Sequence, residues 1–340
     1  MKLKHLKQEM LLPEKEYIIN KVVTIQELDV LILSFTIEKD KNCLWTISAS
    51  EEFTPGKRYK GYDESDEKWR TNREELIDNI KNRRRNVHIK EMEIQGQAVR
   101  FGSSGSSPIY DMNRAGIMAL QHFMEKGLIS EEWDYVKLQN LVITNYEQIE
   151  GEEDPIIDIN KELDISLHIN EDFVEVPIQH PFKLEFGKQN IGKKISYYDE
   201  KLEKDNHFFL NEIYSFDVYE DMKKKVEEIE DIEIRENTLN NFIEAIEMIC
   251  PRDKNLAVIK YETPDNVQLS FNMKEFLDGE PKVYESGGVG IWASYGEGLG
   301  INGYKLQECV LHPIDKDFDG EIELELFSRF LKIPGEVIKL

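Results

Sequence analysis

Asp315, Asp317 and Asp319 alternate ahead of Gly320, with Glu323 close behind. Carboxylates at every second position followed by glycine can wrap a hard cation such as calcium in oxygen, the glycine allowing the sharp turn. A second chemistry is offered by Gly102–Pro108, where Ser103, Ser104 and Ser106 precede an expected helix that carries Arg114. Hydroxyls beside the exposed amides of a helix N-terminus suit a phosphate or carboxylate. A third lies in the glycine-dense run from Gly287 to Gly303, which would let a backbone approach a ligand with Trp292, Tyr295 and Glu297 as walls. The fourth is a concentration of charge: Glu147, Glu150, Glu152, Glu153, Asp154 and Asp158 crowd a short stretch and would present a negative face to a basic protein.

Each pattern has a plainer reading. The aspartates resemble the first half of the calcium loop of EF-hand proteins, but the twelfth position, where that family places a bidentate glutamate, is Leu326. Asp319-Gly320 is also a favoured hairpin turn, and Ile322, Leu324 and Leu326 alternate with glutamates as a strand would. Gly298, Gly300 and Gly303 spell GxGxxG, yet a dinucleotide fingerprint needs a helix to follow, and Tyr304 to Val310 reads as strand. The serine run reads as a loop and lacks the GxSxG spacing of an esterase elbow, because position 106 is serine. Asp265 with Glu280 and Lys282 resembles the metal-binding core of a nuclease group, but Pro281 interrupts the strand that core requires.

The remaining chemistry is sparse. Seven histidines show no paired metal spacing, and Cys43, Cys250 and Cys309 are too far apart for a cysteine zinc site or a disulfide framework. Reduced thiols, no secretory leader and no apolar run near the ~20 residues that span a bilayer make the cytoplasm the expected compartment, with no membrane contact. A net charge of −24 opposes approach to phosphates, so nucleic acid is not an expected partner. The cluster Lys81, Arg83, Arg84, Arg85, His88 and Lys90 is explained by the negative end of the helix before it.

The elements that must position these groups follow from periodicity. Tyr17–Ile19, Val22–Ile25, Val30–Ile37 and Cys43–Ile47 read as strands. Thr71-Asn72-Arg73-Glu74 is a capping box opening a helix with Leu76, Ile77 and Ile80 on its apolar side. Asp111 is the expected N-cap of a helix burying Met112, Ala115, Ile117, Leu120, Phe123 and Met124, with Gly127 just past its end. Val218, Met222, Val226 and Ile229 mark one further helix; Leu239, Phe242, Ile243, Ile246 and Ile249 mark another, stopped by Pro251. Strands cluster apart from helices, which favours an α+β class: two domains of mostly antiparallel sheet, each packed with one or two helices. The expected boundary is an acidic linker at 147–162, between an N-terminal domain over 1–150 and a C-terminal one over 160–340.

The expectation for function is a non-enzymatic acidic binding protein with a basic protein partner, such as an immunity-type inhibitor of a basic toxin. No cofactor is expected, calcium at the Asp315–Asp319 loop being the exception. The rival is an enzyme or ligand-binding protein with a pocket at 287–303.

Overall fold

The computed structural model describes residues 9–49, 70–81, 87–109, 113–281 and 298–340. Trp292, Tyr295, Glu297, Asp111 and Arg83–Arg85 lie outside the described residues. The chain divides into two compact units. One comprises residues 1–64, 82–172 and 332–340, the other 65–81 and 173–331.

The first unit is an antiparallel sheet of eight strands: β1 (Lys15–Ile25), β2 (Leu28–Ile37), β3 (Asn42–Ala49), β4 (Ile89–Ile94), β5 (Gln97–Pro108), β6 (Leu141–Gln148), β7 (Ile165–Ile169) and β15 (Val337–Lys339). Their order is β1-β2-β3-β6-β5-β4-β7-β15. One interior collects Ile25, Phe35, Leu44, Tyr146, Val99, Met92 and Leu167, with Ile338 against it, so every strand contributes and the sheet curls nearly to a barrel. At the rim Gln26 donates its backbone N–H to Glu336 and its side-chain amide to the Asn170 carbonyl.

Helix α2 (Arg114–Glu125) covers the outer face of β2, β3 and β6. Its buried side is Gly116, Ala119, Leu120 and Phe123, while Ile117 and Met124 are exposed, one position round from the face expected for them. Asn113 is its N-cap, accepting from the Gly116 N–H at 3.0 Å, in place of the expected Asp111. Gly127 closes it at φ +68, as a C′ glycine should.

The second unit holds two sheets. β9 (Lys193–Asp199), β10 (Lys204–Phe216), β11 (Lys254–Glu262) and β13 (Leu306–Asp315) form one, in the order β13-β11-β10-β9. β8 (Asp172–Glu185), β12 (Leu269–Met273) and β14 (Glu321–Ile333) form the other, in the order β12-β14-β8. A single core takes Phe208, Ile259 and Tyr261 from the first and Phe271, Leu324 and Leu326 from the second, as two sheets packed face to face require. Helices α3 (Val218–Glu227) and α4 (Ile232–Glu247) pack through Val218, Ile246 and Cys250 on Leu256, which points away from that core.

Helix α1 (Asn72–Lys81) belongs to this unit. The capping box forms as expected: Thr71 Oγ accepts from the Glu74 N–H, and the Glu74 carboxylate accepts from the Thr71 N–H. Arg73 reaches the Glu325 carboxylate at 2.5 Å, and the Asn72 N–H donates to the carbonyl of Gly279, just past α5 (Lys274–Asp278).

The boundary expected at 147–162 is not where the units divide. That stretch lies within the first unit, held by two glutamines at the β4–β5 turn. Gln97 donates to the Ile156 carbonyl at 2.7 Å and accepts from the Ile156 N–H at 2.9 Å; Gln95 does the same with Asp158 at 3.0 and 2.9 Å. Side-chain amides thus stand in for a neighbouring strand. Glycine, proline and carboxylates marked a turn here, not a tether.

Candidate functional site

A run of exposed carboxylates lies on the α3–α4 pair and the turn between the two helices. Asp217 caps α3, accepting from the N–H groups of Tyr219 and Glu220, and Asp231 caps α4 through the Ile234 N–H. The two helices are joined by a short turn and run antiparallel, for Val218 at the start of α3 meets Ile246 near the end of α4. From Glu227 to Glu247 the sequence holds Glu227, Glu228, Glu230, Asp231, Glu233, Glu236, Glu244 and Glu247 against a single base, Arg235. All of these carboxylates are exposed. Among the described residues only Glu247 has an ion-pair partner, Arg252 at 3.2 Å.

α4 is also poorly buried for its length. Of its sixteen residues only Ile246 is fully covered, and Ile232 stays 62% exposed. Between the two helices runs an open cleft of about 300 Å³ whose floor is Leu239, Phe242 and Ile243. Its rim is mixed: Lys223, Arg252 and Lys316 face Asp217 and Glu220.

The carboxylates first expected to meet a partner are differently placed. Glu147 pairs with Lys41 at 2.5 Å and accepts from Ser103 and Asn145; its carboxyl is held low chiefly by Lys41. Glu152 pairs with Arg100 at 2.9 Å, Asp154 accepts from Asn42 at 2.6 Å, and Asp158 accepts from Asn160 and faces Lys161. Glu150 and Glu153 alone stay exposed without such a contact among the described residues. Most of this charge already serves the first unit.

Nor is the serine run a loop. Ser103, Ser104 and Ser106 lie in β5, paired with β6 opposite Glu147, Tyr146 and Thr144. Strand replaces loop here because the backbone finds a full ladder in β6, whatever the low strand preference of glycine and serine. Ser103 donates to the Glu147 carboxylate and Ser106 shares a hydrogen bond with Thr144, an arrangement that sets a negative charge where an anion was expected. Arg114 begins α2.

Asp315, Asp317, Asp319 and Glu323 lie at the crossing from β13 to β14, which belong to different sheets, so the hairpin expected at Asp319-Gly320 does not form. Asp315 faces Lys254 at 3.5 Å, and Glu323 sits between Lys183 and Lys274. Among the described residues no group of three or more His, Cys, Asp and Glu is placed to hold a metal ion.

The described end of the glycine run contains a carboxylate that sequence reasoning missed. Glu262, fully buried, accepts from Asn211 Nδ2 at 2.8 Å, the Tyr304 N–H at 2.9 Å and the Asn302 N–H at 3.2 Å. Burial alone would raise its carboxyl, but the hydrogen bonds from Asn211, Tyr304 and Asn302 bring it below the usual glutamate value. A Cβ on Gly300 would stand 2.1 Å from Glu262 Cδ, so glycine is required there by the approach. These amides hold the protein's own anion where a fingerprint loop would hold a pyrophosphate. No sequence signal marks Glu262, since it simply ends an apolar strand.

Among the described residues Glu16, His122 and Ser34 form an acid–histidine–serine grouping. Glu16 accepts from His122 at 3.1 Å and pairs with Lys126, and Ser34 lies against it. Nucleophilic catalysis needs the hydroxyl beside the imidazole and open to substrate. Here Ser34 is fully buried and its neighbour is the carboxylate. The thiols offer no nucleophile either: burial pushes Cys43 up to about 12. No helix among the described residues is long and apolar enough to cross a membrane. No family model, curated protein or solved structure matches the chain.

Proposed function

We propose that the chain is a non-enzymatic acidic binding protein that engages a basic protein partner, in the manner of an immunity-type inhibitor. One observation carries the reading: the exposed carboxylates of 227–247 answer to a single arginine and, Glu247 apart, have no ion-pair partner among the described residues. Like charges crowded on one helix repel and weaken it, so their retention makes sense where an external cation neutralises them. A field of this sign steers a basic protein into encounter and speeds association.

The test is capture from native lysate by the full chain and by a variant with Glu228, Glu230, Glu233 and Glu236 changed to glutamine. Wild type is expected to retain a basic protein that the variant loses. The complex should come apart as salt rises from about 0.05 to 0.5 M, which shortens the screening length several-fold. A complex indifferent to salt and to the four substitutions overturns the proposal.

A further inference from the structure

Resting on that reading, we infer that the partner is held as a basic amphipathic helix laid along the apolar stripe of α4. Ile232, Leu239, Ile243 and Ile246 stand seven, four and three apart, which is one face of a helix. Coverage of that face falls away toward its N-terminus, from Ile246, which is buried, to Ile232, which is mostly exposed. The cleft over Leu239, Phe242 and Ile243 would seat anchoring side chains from the partner.

Three arguments select the occupant. Two helices offer no strand edge, so an extended segment would leave its backbone groups without partners, whereas a helix satisfies its own. The open part of the stripe, from 232 to 243, runs about 16 Å at 1.5 Å per residue, the length of three helical turns, and helix ridges fit the grooves between α4 side chains. Glu233, Glu236 and Glu244, three and eight apart, line one flank of the stripe, so the occupant's own flank is basic. The rim cations Lys223, Arg252 and Lys316 are nearly balanced by Asp217 and Glu220, leaving the surplus on that α4 flank. A second copy of the chain would set like charges against one another.

The experiment titrates the full chain with three synthetic peptides of about 18 residues, five turns of helix. One carries leucine and lysine at helical spacing, one has the same composition in strict alternation, and one is oligolysine of equal charge. The helical peptide is expected to bind at least about tenfold tighter than either control and to gain helical circular dichroism. Leu239→Ser and Ile243→Ser should erase that margin while leaving oligolysine binding unchanged. Ile232→Lys, at a mostly exposed position, should likewise erase the margin, with oligolysine weakened only by the one added charge, if the serine variants fail to fold.

Equal binding of all three peptides overturns the helical docking but leaves the basic-partner reading standing. Failure of all three to bind overturns both. A margin that survives Ile232→Lys, or a chain that sedimentation shows to be a dimer through this face, also overturns the inference.

Discussion

Among the described residues of the first unit the buried polar residues are Ser34, Thr36, Asn42, Thr46 and Thr144, none of them charged; in the second unit they include Asp199, Glu262, Glu325 and Arg329. Glu16, held by Lys126 and His122, is the nearest to an exception in the first. Short hydroxyls on strands can be satisfied locally, as Thr36 is by the Cys43 carbonyl and Trp45 Nε1. A buried charge has no such economy. It must meet an opposite charge or several donors in one fixed arrangement, because its desolvation costs several kcal/mol by rough estimate. Arg329 and Asp199 meet across the two sheets of the second unit, Glu325 takes Arg73, and Glu262 takes the 298–305 hairpin. The first unit is therefore held mainly by apolar area, and the second by area plus a few irreplaceable pairs.

The sharpest way to break this contrast is Asp199→Ala, which leaves Arg329 buried with no counter-charge. Asp199 also accepts from the Leu202 N–H at 3.0 Å, so the turn after β9 loses its anchor. The expected loss is about 3–5 kcal/mol in urea unfolding of the second unit. The corresponding deletion in the first unit, Thr144→Val, should cost only about 1 kcal/mol, since Ser106 can turn to water. Equal costs would remove the distinction.

Acid should separate the units next. His312 stacks on Phe276 with ring centroids 3.7 Å apart, and burial pushes its pKa down to about 4. The fold thus favours the neutral ring, and the stabilisation is whole above the unfolded value near 6.5 and is lost as pH falls toward 4. Two and a half pH units correspond to at most about 3 kcal/mol. Unfolding of the second unit measured from pH 7 to 4 should show that slope, and His312→Gln should flatten it. Glu262, held low, contributes in the same direction further down: its stabilisation is present above the usual glutamate value and disappears as pH falls through the depressed one. Glu262→Gln, which turns an amide donor toward amide N–H groups, should cost about 2 kcal/mol at pH 7.

Much of the framework was legible because it depends on local pattern. The capping box at Thr71 and the stripes of α3 and α4 each rest on residues close in sequence. What was misread depends on long-range pairing. Nothing in Gly102–Ser107 announces a strand, because β6 supplies the ladder from forty residues away by sequence position. The stretch at 147–162 passed for a linker because the glutamines that hold it sit at 95 and 97. The site shifted for the same reason. Charge can be counted in the sequence, but whether a carboxylate is already paired is decided by Lys41 and Arg100, remote from Glu147 and Glu152.

That distinction yields the smallest prediction, and its value lies in opposite signs. Glu147→Gln should destabilise the first unit, because it removes the partner of Lys41 at a partly exposed pair worth about 0.5 kcal/mol. Glu244→Gln should stabilise the second by about 0.3 kcal/mol, since it lifts an unpaired negative charge from the last turns of α4, where the helix dipole opposes it. High salt should shrink both effects. Thermal unfolding of the two variants beside wild type measures this directly. Two destabilisations would mean that the α4 carboxylates serve the fold as those of 147–158 do, and the functional weight placed on that face would have to move elsewhere.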